Sequence, residues 1–293
     1  MFWALTDKKG HEVFDGEIKN GNAFRYHNGS GYESFIVAAD IENNFNWSLG
    51  PLYCQADVEK NRTLVEGIVS IFKRRKVKKI YAPSVAAHSA RIVGAKELTT
   101  RIELGQGIVL YRNKDLPSDG VPIQVGEGWI MSGGGCPVLI ATGRGICIPM
   151  HASRESLIDL KRIETGESSR QHESVIHATA AYFKERGINL GEVVLRGCWN
   201  VKPENFLHPF DDPKHGSLNV RRYEDLLDRY GPSIMTEPNG CLSLPELVMH
   251  IAKSLGFAQV GFSRSLNSNE ADTRHKDKKF ALMRNLVGVH RFP

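Results

Sequence analysis

Two residues able to do chemistry, Cys136 and His151, bracket the most apolar part of the chain. The stretch Ser132-Gly-Gly-Gly-Cys136-Pro-Val-Leu-Ile-Ala-Thr-Gly-Arg-Gly-Ile-Cys-Ile-Pro-Met-His151-Ala-Ser-Arg reads as two buried strands joined by a tight Thr-Gly-Arg-Gly turn. Cys136 opens the first strand and His151 closes the second. A hairpin sets the start of its first strand beside the end of its second, so thiol and imidazole meet at one end. Such a pair binds a metal or activates a nucleophile. The same residue types also suit an inert core thiol and a merely hydrogen-bonded histidine. Cys147, between two isoleucines, reads as core.

Other candidates carry less. His172 and His177 are spaced for different faces of a helix, which does not favour a shared metal. His208 and His215 flank Pro-Phe-Asp-Asp-Pro in a loop and read as polar surface. The basic run Phe72-Lys-Arg-Arg-Lys-Val-Lys-Lys suits a helix C-terminus. Gly133-Gly-Gly is followed by neither Lys-Ser/Thr nor a helix, so it is not a phosphate loop.

The elements that must position the pair are mostly short. Apolar runs at 79–81, 107–111, 129–131, 137–141 and 145–150 read as buried strands, several continuous rather than alternating. Residues 11–56 are rich in Gly, Asn and aromatics, with alternating stretches such as Ser34-Phe-Ile-Val37 that read as short strands at a sheet edge. Helical spacing of Val58, Leu64, Val65, Ile68, Val69 and Ile71 predicts a helix from Asp57, its N-cap, to about Arg75. Ser153 caps a helix to about Ile163, with Ser156 and Asp159 on its wet side. Further helices are predicted over 173–186, ended by Gly187, over 218–230, and over 243–255, opened by Ser243 with Pro245 in the first turn. Strands follow at 192–196 and, as the last, at 259–262. The charged stretch 263–279 reads as a loop. With no short repeat and no long linker, one α/β domain spanning residues 1–293 is expected.

Composition bounds the function. The chain of 293 residues is 41% apolar and 24% charged, as in ordinary globular proteins. Its net charge of +5 is spread thinly, which argues against a dedicated nucleic-acid binder and leaves anionic small molecules as natural ligands. No apolar run is long enough to cross a bilayer, and Met-Phe-Trp-Ala-Leu-Thr-Asp-Lys-Lys lacks the pattern of a secretory signal. Five scattered cysteines suit reduced thiols in a cytoplasm.

Several segments fall in a telling order: Phe24-Arg25 with Gly29-Ser-Gly-Tyr32, Ser48-Leu-Gly50 with Asp57-Val-Glu-Lys-Asn-Arg62, Ala87-His88-Ser-Ala-Arg91-Ile-Val93, Cys136-Pro-Val-Leu-Ile140, Met150-His151-Ala152 and Leu244-Pro-Glu-Leu247. Over nearly the whole chain this order resembles the YfiH-like family, also called laccase-domain or multicopper polyphenol oxidoreductase-like proteins. The resemblance implies an α/β (mixed α+β) fold of mixed sheets flanked by helices, layered αββα. It implies one zinc held by His88, Cys136 and His151 with a fourth position open, copper being the other metal that accepts such ligands. It further implies a zinc-assisted enzyme acting on purine nucleosides, by phosphorolysis (a transferase) or by deamination of adenosine (a hydrolase). Small molecules, a nucleoside and phosphate, would be its partners, with Arg25, Arg91 or Arg154 on the phosphate. Gly135 stands where the family has Asp before the Cys, and Ser153-Arg-Glu155 where it has Gly-Trp-Arg.

Two alternatives stand beside this reading. A metal-free cysteine hydrolase or deamidase uses Cys136 as nucleophile and His151 as base and has no need of His88. A non-catalytic binding protein keeps the fold without turnover. A trinuclear copper cluster needs paired His-x-His ligands, and none occurs among the eleven histidines.

Overall fold

The computed structural model describes residues 15–19, 22–29, 31–37, 39, 46–85, 89–134, 136–168, 170–198, 210–211, 213, 216–237, 241–262 and 284–293, with backbone alone at 15–29, 236–237 and 241. His88, Gly135, His208, His215 and the stretch 263–279 lie outside the described residues.

Strands β1 (Asp15–Lys19), β2 (Asn22–Gly29), β3 (Tyr32–Val37), β4 (Lys79–Tyr81), β5 (Thr100–Gly105), β6 (Ile108–Arg112), β7 (Glu127–Gly133), β8 (Val138–Gly143), β9 (Ile146–His151), β10 (Val194–Cys198), β11 (Met235–Glu237), β12 (Cys241–Leu242), β13 (Gln259–Phe262) and β14 (Asn285–Arg291) alternate with helices α1 (Asp57–Lys60), α2 (Arg62–Arg74), α3 (Arg154–Leu157), α4 (Leu160–Thr165), α5 (Val175–Lys184), α6 (Gly216–Tyr230) and α7 (Leu244–Leu255). Eight strands form one sheet in the order β1-β2-β3-β14-β7-β4-β6-β5, and four form a second in the order β13-β10-β8-β9. The remaining β11 and β12 pair with each other.

Side-chain alternation along each strand sorts these elements into layers. Phe35, Val37 and Ile130 join Leu64, Val65, Ile68, Val69 and Phe72 of α2 in one core. Their strand neighbours Ile36, Trp129 and Met131 face the other way and meet Val138, Ile140 and Cys147 of the second sheet. Leu139, Ala141, Ile148 and Met150 then point away from that contact into a third core with α5 and α7. The order is helix, sheet, sheet, helices, which is the αββα arrangement. Among the described residues no helix is long and apolar enough to cross a membrane.

Several local expectations need correction. The helix predicted from Asp57 to Arg75 breaks at Asn61, whose φ is −118°, and Asp57 lies inside the first piece. Its carboxylate accepts hydrogen bonds from the Tyr53 and Cys54 amides, 2.9 and 2.8 Å away, tying down the preceding turn. Ser153 does cap α3, accepting from the Ser156 amide at 3.0 Å, but α3 ends at Leu157 and α4 restarts under a second cap, Asp159. Ser156 and Asp159 are buried, not wet: the Ser156 hydroxyl donates to the His151 carbonyl, 3.2 Å away, and Asp159 sits 3.6 Å from Arg170. The last strand is β14, not β13; it runs between β3 and β7 with all but Arg291 buried.

Candidate active site

The β8–β9 hairpin forms as its sequence demands. Arg144 and Gly145 both take positive φ, 42° and 78°, between the paired residues Gly143 and Ile146, as a two-residue type I′ turn requires. The register puts Val138 opposite His151, and the Ala152 amide donates to the Pro137 carbonyl at 2.9 Å. The ladder therefore carries His151 to the level of Cys136, and the two side chains hydrogen-bond.

A third residue, Asp119, completes the arrangement. Its carboxylate is wholly buried, and Oδ1 lies 3.2 Å from His151 Nδ1. Oδ2 accepts from the Ser89 hydroxyl and from the Arg91 amide at 3.4 Å. The backbone holds it there: the Asp119 amide donates to the Arg91 carbonyl at 2.8 Å, and the His151 amide to the Asp119 carbonyl at 2.9 Å. The next residue must be glycine. A Cβ on Gly120 would stand 2.7 Å from Ile92 Cδ1 and 2.8 Å from both Met150 Cβ and the Pro149 carbonyl, so only a bare backbone lets the segment lie this close to β9.

The electrostatics follow. Burial disfavours a charged His151, but the hydrogen bonds to Asp119 and Cys136 and their negative charges outweigh it, holding the imidazole up at about 10. With Nδ1 engaged by Asp119, Nε2 is the nitrogen left to face the thiol. The pocket thus stabilises a cation between a carboxylate and a sulfur, and a metal ion in place of the Nε2 proton meets the same environment. A carboxylate on the far nitrogen of a ligating histidine fixes its tautomer and raises its basicity.

The donor chemistry of Cys136 and His151 therefore fits zinc. Among the described residues no group of three His, Cys, Asp or Glu side chains is arranged to hold a metal; His88, outside them, immediately precedes Ser89, whose hydroxyl touches Asp119.

Arg91 and Arg154 each lie beside a neighbouring carboxylate. Arg91 contributes backbone groups to Asp119, while its guanidinium lies 3.5 Å from Glu97. Arg154 pairs with Glu155 at 2.7 Å and lines a small cavity against α6. Arg25 pairs in register with Gly16 and Ile36 on β2's two neighbours. Cys147 and Cys198 are buried thiols, each pushed up to about 12 by desolvation, so neither competes as a nucleophile. The sequence gives no sign of Asp119's role, because Leu116-Pro-Ser-Asp-Gly-Val-Pro122 carries the composition of a turn.

Among solved structures, the chain is similar to Neisseria meningitidis protein NMB0706, of family model DUF152, at 13% identity and TM-score 0.55, covering 96% of this chain and 99% of that one. It is similar to the Bacillus licheniformis hypothetical protein YfiH at 11% identity and TM-score 0.59, covering 92% of each. The third is YlmD from Geobacillus stearothermophilus, at 12% identity and TM-score 0.55 over 94% of this chain and 93% of that one. The chain has the YfiH fold. At these identities the likeness shows the YfiH fold alone. No family model matches the sequence, and no curated protein matches it.

Proposed function

We propose that the chain is a zinc-dependent enzyme acting on purine nucleosides, with Cys136, His151 and His88 as the metal ligands. The observation that carries this reading is the imidazole of His151 fixed between the buried Asp119 carboxylate and the Cys136 thiol. Asp119 holds the Nδ1 proton, so Nε2 is oriented as a donor before anything binds. Cys136, His151 and His88 would hold the zinc, which would supply Lewis acidity toward the substrate or water. Ser89 and the Arg91 amide hold Asp119 in place, which keeps the imidazole from turning. The choice of nucleosides rests on the family resemblance in the sequence.

Incubation with adenosine or inosine and phosphate, followed by chromatography with and without chelator, tests the reading. Chelator-sensitive release of free base and ribose-1-phosphate, or deamination of adenosine, supports it. No product over hours at micromolar enzyme rejects it.

One observation favours a second reading, a cysteine hydrolase or deamidase. The direct thiol–imidazole hydrogen bond backed by a carboxylate is the arrangement of a Cys-His-Asp relay, in which His151 takes the thiol proton and Asp119 steadies the imidazolium. Chelator-resistant amide hydrolysis blocked by thiol alkylation would select it.

A further inference from the structure

The end of the molecule opposite Cys136 and His151 is cationic and apolar at once, and the site above uses neither character. The β8–β9 hairpin has its Arg144-Gly145 turn at this end and His151 at the other. Its strands of six residues hold the two ends about 20 Å apart. The eight-stranded sheet gathers further groups at the same edge. Helix α2 stops there with Lys73 and Arg74 in its last turn, and β4 starts there with Lys79 opposite Glu127. Strand β14 finishes there: the Gly126 amide donates to the Arg291 carbonyl at 2.9 Å, and the Phe292 amide to the Gly31 carbonyl at 3.1 Å.

The carboxylates nearby are already matched. Glu33 is held by Arg75, Glu127 by Lys79 at 3.8 Å, Glu192 by Arg144 at 2.5 Å and Glu66 by Arg62 at 2.8 Å. Lys73, Arg74, Lys76 and Lys78 are all exposed, and among the described residues no carboxylate pairs with any of them. Like charges this close repel one another, a cost that a polyanion relieves. Lys73 and Arg74 also line a groove of about 430 Å³ between α2 and the β5–β6 turn, with Ser70 and Gln106. The apolar part stands beside the cations. Val125, at the tip of the turn that leads into β7, is 50% exposed and Phe292 36%. The Phe292 ring lies 5.7 Å from that of His290, whose Nδ1 is 3.9 Å from Glu33, the partner of Arg75. Single-stranded nucleic acid asks for aromatic faces on which bases stack, and here the more exposed apolar group is aliphatic. Lysines around protruding aliphatic and aromatic side chains fit an anionic lipid surface, whose headgroups meet the cations while its acyl boundary takes the apolar groups.

We propose that this end of the chain docks on an anionic lipid surface, with Lys73, Arg74, Lys76 and Lys78 on the headgroups and Val125 and Phe292 in the interface. Docked so, the Cys136 and His151 end points away from the lipid, and the inference does not rest on the reaction proposed above. The test is cosedimentation of the full chain with vesicles of phosphatidylcholine alone and of phosphatidylcholine with about 30% phosphatidylserine. The chain should bind the anionic vesicles only, and less as salt is raised. Lys73→Gln and Lys78→Gln together should weaken that binding roughly 10- to 30-fold, and Val125→Ser about threefold or more. All three side chains are exposed, so these variants should melt as the wild type does. Lys114→Gln, at an exposed position beyond the far end of β6, should bind as the wild type does. Equal binding to both vesicle types, no binding to the anionic ones, or an equal loss in Lys114→Gln overturns the proposal. So does binding that either the lysine pair or Val125→Ser leaves unchanged. Binding to a DNA duplex at protein concentrations that leave anionic vesicles free would assign the surface to nucleic acid and overturn the lipid assignment.

Discussion

Asp119 Oδ1 lies 3.2 Å from His151 Nδ1, and the two residues also share a backbone hydrogen bond from the His151 amide to the Asp119 carbonyl at 2.9 Å. Main chain and side chain thus fix the same pair twice. Replacing the carboxylate by an isosteric amide leaves the packing and removes the charge. Asp119→Asn should therefore lower metal affinity or turnover roughly 10- to 100-fold, and in metal-free protein it should also lower the melting temperature, since the buried imidazolium loses its counter-charge. Unchanged metal affinity and kinetics would show that His151 needs no orienting carboxylate.

Cys136→Ala should abolish turnover and leave the fold intact, because Cys136 sits partly exposed at the hairpin mouth. Cys147→Ala should do the reverse, costing about 1–2 kcal/mol through lost buried volume while turnover persists. Assay and thermal denaturation on the two variants check both halves.

Thiol alkylation at pH 8, read by peptide mass mapping, should label Cys54 and Cys136 and spare Cys147 and Cys198. The last two are buried, and desolvation pushes each up to about 12. Rapid labelling of Cys147 in native protein would contradict the strand register.

In metal-free protein His151 is held at about 10, above its ordinary value of 6.5. A raised histidine stabilises the folded state fully below the unfolded value and loses that contribution as pH rises through the folded one. Stability should thus fall between about pH 6.5 and 10, and His151→Gln should flatten that slope. Parallel wild-type and variant curves across this window would contradict the assignment.

Much of the positioning was legible in the sequence, for reasons that are local. The hairpin could be read because Arg144-Gly145 accepts the positive φ of its turn and because the flanking runs are continuously apolar. The caps Ser153 and Ser243 announce helix starts, although Asp159 hid a second start behind Ser153. Asp119 was illegible because its role depends on contacts with Ser89, Arg91 and His151, all remote in sequence. Strand β14 was missed for a related reason: a short run after a charged stretch gives no sign that it will fill the gap between β3 and β7.

Gly120→Ala probes that tertiary placement. Its Cβ would meet Met150 Cβ and the Pro149 carbonyl at 2.8 Å, so the segment must shift away from β9. A loss of about 1–3 kcal/mol is expected, together with reduced turnover as Asp119 moves.

The most direct test of the central claim is elemental analysis of the purified chain, wild type and His88→Ala, after equilibration with zinc and removal of excess. The account requires about one zinc per wild-type chain, with retention lost in His88→Ala and in acid as the ligands protonate. A wild-type chain that holds no zinc, or a His88→Ala chain that holds it equally well, would contradict the account.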